Sequence, residues 1–368
     1  MPAYETGSHQ PLPSSPKQTK GNKGASTRPG PGLADPGRLT VDIDDVRALM
    51  TTACARAGVP GNGIGRVVEH YLDGELRGKP SHGVAKFVFE SQFFSQRIGP
   101  PRIKHERGAM MVVDGRREIG PLSADFAARL AARTARRLGV GIVGMVNTQR
   151  YGILASWSEQ IAERGLVGLV ANTSRPEATV HGAKTPFLGV NPISFAFPTR
   201  DGIVSADMST TLAPMGVLWE ARRAGTPLPS DCFVDEQGAP TEDPDAARAA
   251  LVFGEHRGFA LSLLIQVLTG SLFGFPMSDG VNSIWTTGYA FIALDPTFAG
   301  QGDSHLAANT SLVEAIRQAT TREGGTVRLP GMDGKDRAER ARRAGRIEID
   351  ESLYGRLQLR AAGDFLSD

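Results

Sequence analysis

The run Gly139-Val-Gly-Ile-Val-Gly144 carries the letters of a dinucleotide-binding glycine fingerprint, and what flanks it decides what the chain can fold into. That fingerprint needs a strand before its glycines and a helix after them, so that a helix N-terminus meets a pyrophosphate. Here the order is reversed. Asp125 to Leu138 is rich in Ala and Arg, with Phe126, Leu130 and Thr134 on one side, the pattern of a helix. Gly141 to Val146 is a short apolar run of strand character. Gly139 therefore reads as a helix C-cap and the rest as a buried strand, and a Rossmann opening turn is excluded at this point.

The same periodicities organise the rest of the chain. Thr40 or Asp42 stands where it would cap a helix whose apolar positions Ile43, Val46, Leu49, Met50, Ala53 and Ala57 recur at helical spacing up to Gly58. Further helices are predicted over Gly65 to Arg77, from near His82 to Ile98, over Ser156 to Arg164, and over Phe259 to Phe273, an apolar stretch long enough to cross a core. Strands are predicted over Met110 to Asp114, Val167 to Asn172, Ile193 to Phe197, Ile203 to Ala206 and Gly288 to Leu294. Met1 to Arg38 is rich in Pro, Gly, Ser, Lys and Thr and nearly free of large apolar side chains, so it is expected to be a disordered tail.

Composition enters as a set of exclusions. The formal net charge is +2 with acids and bases interleaved, which argues against a nucleic-acid partner. The densest basic stretch, Lys335 to Arg346, also holds Asp336 and Glu339 and reads as a helix with a solvated face. Cys54 and Cys232 are far apart and form no CxxC pair, which fits a reducing cytoplasm. No apolar run reaches membrane-spanning length, so neither a membrane nor secretion is expected. HExxH, paired His or Cys at metal spacing, GxxxxGK[ST] and GxSxG are all missing, and no metal site is expected.

What remains is a series of polar blocks in order: Leu76-Arg77-Gly78 with Ser81-His82-Gly83-Val84, Gly189-Val190-Asn191-Pro192-Ile193-Ser194-Phe195-Ala196, Asp207-Met208-Ser209-Thr210, and Arg257-Gly258-Phe259-Ala260-Leu261. Together with Asp231 to Pro244 and Arg328-Leu329-Pro330-Gly331, these blocks resemble the signature of the type-2 malate/L-lactate dehydrogenase family over about Thr40 to Leu359. That family includes malate, lactate, ureidoglycolate and sulfolactate dehydrogenases and reductases of cyclic 2-imino acids such as piperideine-2-carboxylate. The resemblance implies an α/β fold that is not Rossmann, with a mixed to antiparallel sheet domain and a helical domain built from both ends of the chain. By that resemblance 39–108 is the first part of the helical domain, 109–280 the cofactor-binding sheet domain, and 281–368 the part that completes the helical one. It also implies a homodimer, NAD or NADP as cofactor, and a small carboxylated substrate interconverted between 2-oxo and 2-hydroxy forms, with C=N reduction as the alternative.

Hydride transfer to a C=O or C=N carbon needs a proton donor near the heteroatom and a cation for the substrate carboxylate. By the resemblance His82 is the acid/base residue and Asp207 its orienting carboxylate, whereas the plain alternative for a His before Gly is a helix start. Lys86, one helical turn beyond His82, stands where the family usually has a substrate-binding arginine; the alternative is a solvated lysine. Cofactor contacts carry over to His181, Gly182, Gly189, Asn191, His256, Arg257 and Gly258, against the plainer readings of a turn before a strand and a capped helix start.

Three positions depart from the family. Its Ser-Asn-His-Phe-Gly is Thr148-Gln149-Arg150-Tyr151-Gly152 here, and arginine cannot serve as a general acid near neutral pH. An aspartate that the ureidoglycolate enzymes carry after Ser174 is Arg175, and an acidic position on the long apolar helix is Gln266. Arg150 and Arg175 are therefore expected to bind substrate, and two added arginines favour a substrate richer in negative charge or one with a different proton route. A homologue that binds nucleotide without turnover is the third possibility that these departures leave open.

Overall fold

The computed structural model describes residues 37–300 and 303–367. The expected tail lies outside the described residues, apart from Gly37 and Arg38. Arg38 opens a strand, β1 (Arg38–Asp42), so regular structure reaches into the expected tail. The helix α1 (Ile43–Arg56) follows and buries Ile43, Val46, Met50 and Ala53, as their spacing predicts. Thr40 lies within the strand. Asp42 is the N-cap residue, but its carboxylate accepts from Arg346 at 2.9 Å instead of capping the helix.

Helix α2 (Gly61–Leu76) starts before the expected Gly65. The helix expected from His82 to Ile98 is broken into a 3-10 turn, Pro80–His82, then α3 (Val84–Ser91), then a second 3-10 turn, Phe94–Gln96. Close packing explains the first break. A Cβ on Gly83 would stand 2.3 Å from Glu75 Oε2, and one on Gly74 would stand 2.6 Å from the carbonyl oxygen of His82. The turn that carries His82 thus rests directly on the backbone of α2.

The next elements form the sheet and its first cover: β2 (Arg102–Arg107), β3 (Met110–Asp114), α4 (Gly120–Leu138), β4 (Val140–Val146), α5 (Ala155–Ala162), β5 (Val167–Asn172), β6 (Ala178–Thr179), β7 (Ile193–Thr199) and β8 (Gly202–Met208). Gly139 caps α4 in the left-handed region at φ 82° and β4 follows at once, the reading made of the glycine run. Helix α6 (Met215–Ala224), β9 (Phe233–Val234), β10 (Ala249–Leu251), α7 (His256–Thr269) and β11 (Tyr289–Leu294) complete this half, and α8 (Ser304–Gln318), α9 (Met332–Ala344), β12 (Arg346–Asp350) and α10 (Glu351–Ala362) close the chain.

Seven strands pair in the order β2-β3-β4-β11-β5-β7-β8. The β3–β4 pair is parallel and the other five are antiparallel, so the sheet is mixed, as the resemblance implied. The sheet reaches past the expected bounds of 109–280. On one side β2, exposed along its whole length and polar except for Ile103, covers the edge of β3; on the other β11 inserts between β4 and β5. Helices α4 and α5 pack on the sheet around Met145, Trp157, Val170 and Phe291, while α7 lies against β5 and β11. A separate helical core joins both ends of the chain: Val46, Met50, Tyr71 and Phe87 pack with Ala338, Ile349, Leu353 and Leu357, and β1 pairs with β12.

Candidate active site

Four segments from different parts of the chain converge: the Pro80–His82 turn, α3, the loop after β4, and the end of β8. The loop after β4 is shaped by backbone constraint. Asn147 and Gly152 sit at φ 60° and 69°, and a Cβ on Gly152 would stand 2.2 Å from His70 Nε2, so the chain there passes directly over the His70 ring. Gln149 fixes the loop from the other side by donating to the carbonyl oxygens of Phe93 and Arg117 at 2.9 and 3.1 Å. Tyr151 is buried beneath, against Tyr289 and Trp157.

His82 is half-buried, and its Nδ1 lies 3.0 Å from Ser81 Oγ. Burial, with Lys86 second, holds its imidazole down at about 4, against the pull of Asp207. Asp207 acts on His82 by charge and makes its hydrogen bonds elsewhere. Asp207 Oδ2 accepts from the backbone N–H of Ala155, the first residue of α5, at 3.1 Å and from Lys79 at 3.4 Å. A carboxylate at a helix N-terminus is well placed electrostatically, and this one acts on His82 through space. The free site therefore presents a neutral imidazole.

Lys86 is not a solvated lysine. Its ammonium lies 3.0 Å from Glu90, whose side chain is wholly buried, and Arg150 reaches the same carboxylate oxygen at 3.8 Å. Both expected substrate cations thus share one internal anion. Electrostatic coupling ties the group together: Glu90 acts on Tyr71, Asp207 on both His82 and Tyr151, and Arg150 and Glu90 on Tyr289. The hydroxyl groups of Tyr71 and Tyr151 are buried without a hydrogen bond among the described residues.

Arg175 does not join this group. It is half-exposed and pairs with Glu177 at 2.9 Å. Each of the two arginines faces a carboxylate of the protein, Glu90 for Arg150 and Glu177 for Arg175.

The expected cofactor residues divide. His181 lines a cleft of about 210 Å³ with Leu212, Asp231, Gly254 and Glu255, and so comes to the start of α7, where His256 and Arg257 are exposed. Glu255, the N-cap residue, has φ 51° and makes no side-chain cap, which leaves this helix end open to an anion. Gly182 is exposed next to His181, whereas Gly258 is buried, where a Cβ would strike the carbonyl oxygen of Phe253 at 2.0 Å.

Gly189 and Asn191 are corrected: both are buried. Asn191 Nδ2 donates to the carbonyl oxygen and Oγ of Ser262 and to Gln266 Oε1, and its Oδ1 accepts from Thr173, so it fixes α7 to the sheet from within. A Cβ on Gly189 would stand 2.6 Å from that Asn191 oxygen.

Sequence reasoning missed Glu90 and His70. The signal for Glu90 was its place four residues after Lys86 among Phe87, Val88 and Ser91. His70 stacks on Trp157 with ring centroids 4.7 Å apart, and burial pulls its pKa to about 3.

The sequence profile of the malate/L-lactate dehydrogenase family matches residues 41–358. The L-sulfolactate dehydrogenase of Methanothermobacter thermautotrophicus is 30% identical over 86% of this chain and 93% of its own length. The NAD(+) ureidoglycolate dehydrogenase of Escherichia coli O157:H7 is 26% identical over 86% of the chain and 94% of its own. An NADP(+)-dependent (2R)-3-sulfolactate dehydrogenase from Chromohalobacter salexigens is 29% identical over 86% and 97%. Among solved structures, a delta1-piperideine-2-carboxylate reductase from Pseudomonas syringae superposes with a TM-score of 0.76 at 26% identity, covering 88% of this chain and 99% of the other.

Proposed function

The chain belongs to the malate/L-lactate dehydrogenase family, and from that premise we propose that it interconverts a small 2-oxo acid and its 2-hydroxy acid with NAD or NADP. The observation that carries this reading is the convergence of His82, Lys86, Arg150 and Asp207 on one buried charge group from four segments. When bound, the nicotinamide supplies or accepts the hydride. The open start of α7, with His256 and Arg257, and the adjacent cleft at His181 suit its pyrophosphate, and the glycine at 258 keeps that helix end tight against Phe253.

The protein's own residues then have distinct tasks. Lys86 and Arg150 hold the substrate carboxylate. His82, neutral at the start, takes the proton of the 2-hydroxyl in oxidation and returns it to the forming alkoxide in reduction. Asp207 stabilises the imidazolium through space as it forms, and Ser81 orients the ring. Burial and the neighbouring lysines oppose that protonation, so the anionic substrate assists it by adding a negative charge beside the ring.

One observation favours a second reading, reduction of a cyclic 2-imino acid. Arg150 cannot replace a proton-donating histidine, and a protonated imine carries its own proton to the site. Incubation with NADH or NADPH and a panel of 2-oxo acids and cyclic imino acids, followed by loss of reduced-nicotinamide absorbance, separates the two. Consumption with neither class would leave a nucleotide-binding homologue without turnover.

The outer face of α7 supports a homodimer. Leu263, Leu264 and Val267, together with Leu272 beyond the helix, are exposed, while the buried side of the helix includes Ser262, Gln266 and Thr269. An exposed row of leucine and valine on a helix that is apolar on both sides fits a second copy, and Leu264→Lys should shift sedimentation toward monomer. Cys54 and Cys232 are both free, which supports a reducing, cytoplasmic location, and no described helix is long and apolar enough to cross a membrane.

A further inference from the structure

The cleft beside α7 carries the opposite charge to the helix end that borders it. Leu212, Leu251 and Val252 give it an apolar wall, and its charged lining is Asp231 and Glu255, with His181 as the basic residue among them. Both carboxylates are exposed, and neither pairs with a cation or accepts a hydrogen bond among the described residues. Glu255 makes no side-chain cap on α7 and lines the cleft instead. Asp231 and Glu255 stand at φ 58° and 51°, a region that aspartate tolerates and glycine favours, so Glu255 keeps a carboxylate where the backbone prefers none.

On the reading above, the pyrophosphate of the cofactor meets Arg257 and the open start of α7, and the two halves of the molecule run from there in opposite directions. The nicotinamide must reach the substrate beside His82. None of Lys79, His82, Lys86, Arg150 or Asp207 lines the cleft, which is therefore left to the adenosine half. Its apolar wall suits the adenine ring, and its carboxylates are acceptors for ribose hydroxyls.

NAD and NADP differ in that half alone. The 2′-hydroxyl of NAD donates to a carboxylate, whereas the 2′-phosphate of NADP carries nearly two negative charges and offers acceptors only. Arg257 and the helix end serve the pyrophosphate of either cofactor and do not discriminate. At the cleft two carboxylates stand against His181, so even a protonated imidazole leaves one negative charge facing the phosphate. Lys184 and His256 do not line it.

We propose that Asp231 and Glu255 select NAD(H) over NADP(H), accepting hydrogen bonds from the adenosine ribose and repelling a 2′-phosphate. The proposal rests on the oxidoreductase reading and its cofactor site, and goes beyond it in choosing between the two nucleotides. Both residues determine specificity and take no part in proton or hydride transfer.

The test titrates the free protein with NADH and NADPH by nicotinamide fluorescence, and with ADP-ribose and its 2′-phosphate by calorimetry, the second pair lacking the reactive ring. NADH should bind at least about tenfold more tightly than NADPH, and the fragments should differ in the same sense. Salt at about 0.5 M should narrow the ratio, because the repelling groups are exposed. Asp231→Asn combined with Glu255→Gln keeps acceptor oxygens and removes both charges. It should bring the two nucleotides within about twofold of each other, mainly by tightening NADPH, whereas a merely structural role would weaken both. A wild type that binds NADPH as tightly as NADH would overturn the proposal even if the variant fails to fold. A preference for NADH that the double variant keeps would overturn it as well. Protein that binds neither nucleotide would overturn it together with the cofactor site, whereas NADH selectivity without turnover of any 2-oxo or cyclic imino acid would support the preference and remove the oxidoreductase reading.

Discussion

Two buried carboxylates, Glu159 and Glu90, meet cations in opposite ways. Glu159 on α5 receives both nitrogens of a fork from Arg77, at 3.0 and 2.8 Å, together with Lys335 at 3.2 Å and the hydroxyl of Ser205. Arg77 is held in turn by Asp73, which also binds Arg342. Burial pushes the Glu159 carboxyl up, but the hydrogen bonds and charge of Arg77 outweigh it and hold the group down at about 2. Glu90 has one close ammonium and one guanidinium at 3.8 Å, with no bidentate contact. The first arrangement borders a cleft of about 300 Å³ and ties α2 and α9 to the sheet through α5. The second has no such fork, and that difference separates a carboxylate held by several partners from one held loosely.

The comparison can be broken most forcefully at Arg77. Arg77→Met removes the fork from Glu159, leaving it Lys335 and Ser205, and should lower unfolding free energy by about 3 kcal/mol, the lower end of the usual effect of removing one partner of a buried pair. Denaturant titration measures it, and a loss no larger than that of Arg150→Ala would erase the distinction between the two regions.

Arg150→Ala should act on function instead, raising the Michaelis constant for a carboxylated substrate about tenfold with a smaller change in turnover, because the contact is made in ground and transition states alike. Lost turnover at an unchanged Michaelis constant would assign Arg150 to the transition state.

Acid titration sharpens the comparison further. The Glu159 network contributes stability that is complete above pH 4.5 and lost as pH falls toward about 2, since the unfolded chain takes up that proton first. His70 and His82 share a second window: below pH 6.5 the unfolded state binds protons that the folded state refuses until about 3 and about 4, so stability falls across that range. His70→Gln should reduce the slope of the upper window and leave the lower one. A slope unchanged by the substitution would mean that other groups govern the upper window.

The smallest effect is expected at Arg175. Its exposed pair with Glu177 should matter little, and Arg175→Ala should leave both stability and the Michaelis constant within about twofold of wild type.

Legibility in the sequence followed the range of the forces involved. Met110 to Asp114 and Val167 to Asn172 were readable to the residue, because apolar alternation between turn residues is a local signal. The strands β1 and β12 were not, since each is short and becomes a strand only by meeting the other across the whole chain. The break at Gly83 was hidden for a related reason: nothing near it in sequence announces that Glu75 fills the space a side chain would need. In the site, the blocks around His82 and Asp207 were readable by resemblance, whereas their partners were not. That Asp207 faces Ala155 and Lys79, that Asn191 is bound inside, and that Glu90 sits between Lys86 and Arg150 are properties of tertiary approach. That Arg150 and Arg175 each face an acid of the protein was hidden in the same way, because sequence does not show which acids will face a cation.

The central claim is that the group around His82 performs the proton transfer while the start of α7 holds the nucleotide. The direct measurement is His82→Gln, with steady-state turnover and NADH or NADPH affinity determined on the same preparation. Turnover should fall on the order of a hundredfold or more while nucleotide affinity stays within a few fold. Near-normal turnover, or a loss of nucleotide affinity that accounts for the whole decline, would contradict it.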